Sequence, residues 1–309
     1  MRSATTNAPE DWGCEEFWLQ IPGFRACFTG LSNKQKKQLA LDYSDYIIEV
    51  NELEREHSAA TLVCETYRLD APIDLSSDEL ENDGQYSPLK KRDVHGVEIT
   101  GVNFKAYFTT GKEVNRAALG VTYEEDLTSA IVFENFLRIY TAHNATALGG
   151  ALLHSAGLVF NNQAYIFVGY SGVGKTTLTR KAHATGTKIL SDDINLIMPS
   201  GNGFIAYKVP FTGEFGRTVD HTNTAISFPL KAVILLEQGE TLLAEATTSS
   251  FAVSRLLAGS PFVNTDDQEV KTLFDTYIDL TAKVAVIKLA VPIVSSIDDI
   301  MQSIHTIVD

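Results

Sequence analysis

The sequence predicts an α/β protein in two parts: a smaller α+β domain over residues 1–144, then an α/β domain over residues 145–309 built around a phosphate-loop sequence, with a mixed sheet and flanking helices. Three observations carry that expectation. The stretch "GYSGVGKTTLTR" (Gly169–Arg180) fits the phosphate-loop pattern and stands between a strand-like and a helix-like run. Strands and helices alternate around it and on to Asp309, the order of an α/β layer architecture. Upstream, "EEDLTSAIVFENFLRIYTAHNA" sets Leu127, Ile131, Phe133, Phe136, Leu137 and Tyr140 at helical spacing, and this long helix joins the two parts. The boundary is placed near Asn144–Gly150, where Gly149-Gly150 suits a hinge or tight turn.

In the first part, "FWLQIPGFRACFTG" reads as a strand with a turn and "NKQKKQLALDYSDYIIEV" as an amphipathic helix. "ATLVCETYRL" is a further strand. Asp74–Asp93 is polar and aperiodic, the pattern of a surface loop. "VEITGVNFKAYFTT" alternates apolar and polar side chains as one half-buried strand does. In the second part, "ALLHSAGLVF" and "QAYIFVGY" flank Asn161-Asn162, whose side chains tolerate the left-handed backbone of a hairpin turn. A helix from Lys175 to about Thr185 closes on Gly186. "TKILSDDINLIMPSGNGFIAYKV" reads as two or three strands turning at Gly201-Asn202-Gly203, and "KAVILLE" as a buried strand. Helices near Phe251–Ala258 and Asp266–Thr281, a strand "KVAVIKLAV" and a last helix from Ser296 complete the chain.

Composition narrows the function classes. The 309 residues are 44% apolar and 21% charged, with a formal net charge of −14. An acidic chain lacks the clustered Lys and Arg that nucleic acid or an anionic membrane requires, so neither is an expected partner. No apolar run reaches the ~18–20 residues of a membrane span, and the N-terminus has no secretory h-region. The expectation is a cytoplasmic protein. Cys14, Cys27 and Cys64 are scattered without metal-ligand spacing and read as reduced thiols.

The loop specifies its own chemistry. Gly169, Gly172 and Gly174 let backbone N–H groups curl around phosphate oxygens, with Ser171, Val173 and Thr177 completing the cradle. The helix N-terminus adds partial positive charge. Lys175 reaches the β/γ phosphates, and the Thr176 hydroxyl is a ligand for Mg²⁺. Downstream, "ILSDDINLI" sets Asp192 and Asp193 side by side at a strand end, an arrangement that costs free energy unless a cation or hydrogen bonds hold it. Next to a triphosphate, one carboxylate can bind Mg²⁺ and the other can take a proton from an attacking hydroxyl. His154 lies among apolar neighbours on the strand before the loop, where a histidine is ordinarily a core residue.

Together, "LLHSAG" (Leu152–Gly157), "GYSGVGKTT" and "LSDD" (Leu190–Asp193) resemble the catalytic domain of the HPr kinase/phosphorylase family. More loosely they resemble the nucleotide site of ATP-dependent phosphoenolpyruvate carboxykinase, which shares that fold. The close resemblance spans Leu152–Ile197. The order "YKVPFTGEFGR … PLKAVILLEQGE" is similar to divergent HPr-kinase-like proteins, some of which accompany peptide-modification gene clusters and phosphorylate a serine of a precursor peptide. The resemblance implies ATP and Mg²⁺ as cofactors and a hydroxyl acceptor: Ser or Thr of a peptide or protein, or a small hydroxyl compound such as free serine. It implies Asp192 as the general base and Asp193 as the metal carboxylate, roles the two can exchange, with His154 near the transferred phosphoryl group. It adds Glu214 as a second acidic group at the metal and Arg217 as a phosphate ligand, and it implies a homo-oligomer.

The chain departs from that family's pattern at Thr177, where better-known members carry an acidic residue. It also has no counterpart of their Asn- and Arg-containing glycine-rich segment, so HPr itself and phosphorolysis are not expected. Acceptor choice is expected of the first part, which resembles nothing named. A phosphate-loop NTPase that couples hydrolysis to movement is the competing reading, with Glu237 at the end of "AVILLE" activating water. A carboxykinase-like enzyme lacks its Lys and His ligands ahead of the loop.

Overall fold

The computed structural model describes residues 13–50, 61–69, 73, 89–92, 95–101, 103–111, 114–122, 126–211, 213, 215–216, 226–264 and 267–309. Packing divides the chain into two compact units, Met1–Tyr140 and Thr141–Asp309. That division falls inside a continuous helix, Asp126–Ala147.

In the first unit the elements are β1 (Glu15–Ile21), β2 (Phe24–Leu31), α1 (Asn33–Asp42), β3 (Thr61–Arg68), β4 (Leu89–Arg92), β5 (Val97–Gly101), β6 (Phe104–Phe108), β7 (Asn115–Val121) and α2 (Asp126–Ala147). The described strands form one sheet in the order β1-β2-β3-β7-β6-β5-β4. β3 runs parallel to both β2 and β7, and the remaining pairs are antiparallel. Phe133, Phe136 and Tyr140 of α2 meet Phe24, Phe28 and Phe108 of the sheet, mostly edge to face. Each such contact contributes roughly 0.5–1.5 kcal/mol beyond its buried area.

The helix expected over Asn33–Val50 begins with a capping box, Ser32 Oγ accepting from Gln35 N at 3.2 Å, but stops at Asp42. The following residues turn back, and Ile47 bridges to Leu19 of β1. The single strand expected over Val97–Thr110 is a hairpin, β5 with β6, turning at Asn103 with φ +63°. Leu89–Arg92, placed in the polar loop, pairs with β5, while residues 74–88 and Asp93 lie outside the described residues. Ile131, counted with the apolar face of α2, is exposed, and the Leu127 side chain lies outside the description.

The second unit contains β8 (Ala151–Phe160), β9 (Gln163–Val168), α3 (Lys175–Ala184), β10 (Lys188–Ser191), β11 (Ile194–Ser200), β12 (Gly203–Tyr207), β13 (Ser227–Gln238), β14 (Leu243–Ala246), α4 (Ser249–Ala258), α5 (Asp267–Lys283), β15 (Ala285–Val291) and α6 (Ile297–Val308). β8 and β9 form a hairpin through Asn161 (φ +49°) and Asn162 (φ +58°), the paired left-handed residues of a type I′ turn. β9 lies between β8, antiparallel, and β13, parallel, and β15 extends the parallel run beyond β13. The apolar runs of β9 and β13 follow from burial on both faces. The long β8 pairs along its first half with β11 and along its second with β9 and β10. α3 and α6 cover one side of this sheet: Leu178, Ala182, Ile300 and Ile304 pack with Leu158, Phe167 and Ile234.

Gly149 (φ +77°) makes the tight turn expected after α2, with Gly150 N donating to Ala145 O at 2.8 Å, and Gly150 is in addition a close approach. A Cβ on Gly150 would stand 2.4 Å from Met198 Sδ and 2.5 Å from Ile197 O, so the chain entering β8 is pressed against β11. Cys14, Cys27 and Cys64 form no disulfide. Among the described residues no helix is long and apolar enough to cross a membrane.

Candidate functional site

Topology brings the site together. β9, β13 and β15 are parallel, so their carboxyl ends share one edge, where ligands of open α/β sheets bind. β9 ends at Val168 and releases the loop Gly169–Gly174 there. β8 runs the opposite way, so its first half reaches the same edge: Ser155 pairs with Val168, and His154 stands one residue further on. β10 and β11 also run along β8, with Ser191 opposite Gly157 and Ile194 opposite His154. Asp192 and Asp193 therefore lie across from Ser155, and Ser155 N donates to Asp193 O at 2.8 Å.

The loop has the geometry its glycines allow. Gly172 (φ +81°) and Gly174 (φ +116°) have left-handed backbone, and a Cβ at either would point into open space. Gly169 is required for a different reason, since its Cβ would meet Val173 Cγ1 at 2.8 Å and Leu236 O at 3.0 Å. The Val173 side chain is buried in the core with Leu178 and anchors the loop. Ser171, Thr176 and Thr177 are exposed. Gln238 Nε2, at the end of β13, donates to Gly172 O at 3.1 Å and braces the loop from the neighbouring strand.

Lys175 is 6% exposed and donates to Gly169 O at 2.7 Å and Tyr170 O at 3.2 Å. Burial lowers its pKa to about 8, and the charge of Asp193 opposes that shift. The Asp193 carboxylate is therefore within electrostatic reach of the loop lysine. His154 Nδ1 stands 3.8 Å from Asp193 Oδ1, an ion-pair separation too long for a hydrogen bond. Asp192 is buried, and its Oδ1 accepts from Gly213 N at 2.8 Å. Ser191 shapes the turn: its Oγ accepts from Asp193 N at 3.2 Å and Ile194 N at 3.1 Å and donates to Phe211 O at 3.3 Å. Glu214 and Arg217 lie outside the described residues.

Three supporting residues escaped the sequence reading: Ser191, Gly213 and Gln238. Ser191 had a signal, because Ser before Asp-Asp is an ST-turn sequence. Gly213 and Gln238 had none, since each acts across a sheet edge from a position remote in sequence. Glu237, the residue on which the hydrolase reading rests, stands 3.7 Å from Lys288 of β15.

Chemically, Lys175 is satisfied by carbonyls that it can exchange for the oxygens of an anion, and the space beside Gly172 and Gly174 is open. Among the described residues no group of three His, Cys, Asp or Glu could hold a metal ion alone. Asp193 and the Thr176 hydroxyl still suit Mg²⁺, which takes one or two protein oxygens and completes its shell with phosphate and water. The charge on Lys175 sets a pH dependence. With its folded pKa at about 8, the amine is cationic below that pH and neutral above it. Metal-free tripolyphosphate binding, measured by calorimetry, is expected to weaken as pH rises from 7 to 9.5.

The chain is a mixed α/β protein in two units, in which a glycine loop leaves β9 at the sheet edge that His154, Asp192 and Asp193 also reach. The chain belongs to the family described as SynChlorMet cassette protein ScmC, whose model matches residues 119–300, a span that takes in the loop, the acidic pair and His154. No curated protein matches the chain. Among solved structures, the Hpr(Ser) kinase/phosphatase from Coxiella burnetii is similar with a TM-score of 0.31 at 13% identity, covering 50% of this chain and 94% of that one. A score that low leaves the functional reading to rest on the site's own geometry.

Proposed function

We propose that the protein is an ATP- and Mg²⁺-dependent kinase that transfers the γ-phosphoryl group to a hydroxyl, a Ser or Thr of a peptide or protein. One observation carries this reading: Lys175, Asp193, His154 and Asp192 meet at the sheet edge where the glycine loop emerges. A cradle for phosphates and an oriented acid pair are what phosphoryl transfer needs, because positioning and electrostatics supply most of its rate.

The loop N–H groups and Lys175 hold the phosphates and orient the γ group. Thr176 and Asp193 would hold Mg²⁺, with Glu214 a further candidate; when bound, the ion supplies neutralisation of the phosphate oxygens. Asp192, with Oδ1 fixed by Gly213, presents its other oxygen to the acceptor and takes the hydroxyl proton. The acceptor oxygen forms the new P–O bond as the bond to the β–γ bridging oxygen breaks, and ADP leaves with that electron pair. His154 stands beside Asp193 to stabilise charge on the transferred group. We assign acceptor selection to the first unit.

The test is incubation with γ-labelled ATP and Mg²⁺, with and without serine peptides or free serine. Label on a peptide supports the reading. Label on free serine alone moves the acceptor to a small metabolite, and release of phosphate insensitive to any acceptor returns a hydrolase.

Gly213 gives a sharper probe of the base. A Cβ there would stand 2.6 Å from Asp192 Oδ2, so Gly213→Ala has to displace the carboxylate. A shift of about 1 Å in a reacting group costs about 100-fold. Transfer is expected to fall by that order while the dissociation constant for ATP stays within about threefold, since Gly213 touches Asp192 and not the cradle.

A further inference from the structure

A cavity of about 400 Å³ opens beside the loop, within the ~300–1,000 Å³ range of small-molecule sites. Gly172, Gly174 and Thr177 line it, so it is continuous with the phosphate cradle. Asp192, Asp193 and His154 do not line it, so it is a part of the site distinct from the acids. Leu178, Leu236, Val291, Ile293 and Ile300 give it apolar walls, and Thr177, Lys181 and Gln238 are its polar members. The site thus offers charge in one part and an apolar slot in another.

The outer wall is the turn after β15. Ile293, which lines the cavity, is 81% exposed, an apolar side chain held in solvent at the cavity mouth. That turn is pinned, because Lys181 Nζ donates to Ile293 O at 2.5 Å and Ser295 O at 2.7 Å. An exposed apolar wall kept in place by a lysine tether suits a flat ligand that it can cover. At the polar end, Gln238 spends Nε2 on Gly172 O. Its Oε1 accepts no hydrogen bond from the described residues and remains an acceptor.

We propose that this cavity receives the purine of the nucleotide whose phosphates occupy the cradle, and that Gln238 selects adenine over guanine. The proposal rests on the kinase reading of the cradle and adds the base subsite and its specificity residue. Stacked between the apolar walls, a purine buries its faces. The 6-amino group of adenine donates to Gln238 Oε1, whereas the 6-oxo group of guanine sets acceptor against acceptor and leaves both unpaired. A peptide acceptor does not fit here, since its hydroxyl has to reach the acids, which do not line the cavity.

The experiment compares binding of ATP, GTP and tripolyphosphate, each with Mg²⁺, to the full chain and to two variants. ATP is expected to bind at least about tenfold tighter than tripolyphosphate, and GTP weaker than ATP. Ile293→Asp is expected to bring ATP to the tripolyphosphate level while leaving tripolyphosphate binding unchanged, which also shows that the variant is folded. Gln238→Leu is expected to bring ATP and GTP within about twofold of each other. Equal binding of ATP and tripolyphosphate, or ATP binding indifferent to Ile293→Asp, overturns the base subsite and leaves the cradle standing. GTP binding as tight as ATP overturns the role of Gln238. Failure of both ATP and tripolyphosphate to bind overturns the cradle and the subsite together.

Discussion

Asp192→Asn is expected to reduce phosphoryl transfer by about 10²–10⁴-fold, the range a positioned general base supplies, while ATP binding changes little. The structural reason is that the amide keeps the volume of the carboxylate and its oxygen can still accept from Gly213 N, the bond measured at 2.8 Å. Asp192 stays buried and the turn keeps its shape, because Ser191 Oγ rather than Asp192 holds the backbone of Asp193 and Ile194. What is lost is the acceptor that takes the proton. Single-turnover transfer from labelled ATP to the serine peptide reads this directly, with nucleotide affinity measured alongside. Asp193→Asn should behave differently: its carboxylate acts on Lys175 and stands near His154, so loss there lowers the Mg²⁺ dependence and the nucleotide affinity together. If Asp192→Asn leaves turnover unchanged and Asp193→Asn abolishes it with affinity intact, the two roles are exchanged.

The difference between these neighbours shows what a sequence can and cannot convey. The loop was legible because its chemistry is local: glycines at fixed spacing specify left-handed backbone at Gly172 and Gly174, and the next residue is the lysine. The Asn161-Asn162 hairpin was legible for the same reason. The pairing of His154 with Asp193 needed the register of β8 against β10 and β11, including the irregularity between Ile189 and Ser191, which no local pattern encodes. Gly213 reaches Asp192 from a segment with no periodicity, so its contact existed only in three dimensions.

The first unit was less legible. Val97–Phe108 alternates through its own turn, so the alternation hides the reversal at Asn103. "NRAALGV" lacks the β-branched run of an obvious strand, yet β7 lies between β3 and β6 because the sheet around it decides.

Lys175→Met is the second large effect, and it separates binding from folding. The variant is expected to lose transfer by about 10²–10³-fold or more, as for removal of one electrostatic clamp on a reacting group, and to lose the thermal shift that ATP produces. Its stability should not fall. The lysine has a folded pKa of about 8 against 10.5 for the unconstrained side chain, so the fold disfavours the charged amine. For a lysine shifted in this direction the unfolded state binds more protons between those two values. The penalty is therefore complete below about pH 8 and vanishes as pH rises through 10.5. At pH 7 it amounts to about 3 kcal/mol. The two hydrogen bonds from Nζ to Gly169 O and Tyr170 O offset it by about 1 kcal/mol each. Methionine keeps the buried stem and removes both effects, leaving the ligand-free variant about 1 kcal/mol more stable at pH 7 and about 2 kcal/mol less stable than the parent near pH 11, where only the hydrogen bonds would be missed. Denaturant unfolding of both proteins at the two pH values reads the crossover. A variant less stable than the parent at pH 7 would mean that the amine is held by its carbonyls more strongly than burial opposes it, and that the cradle is closed on itself rather than poised for an anion.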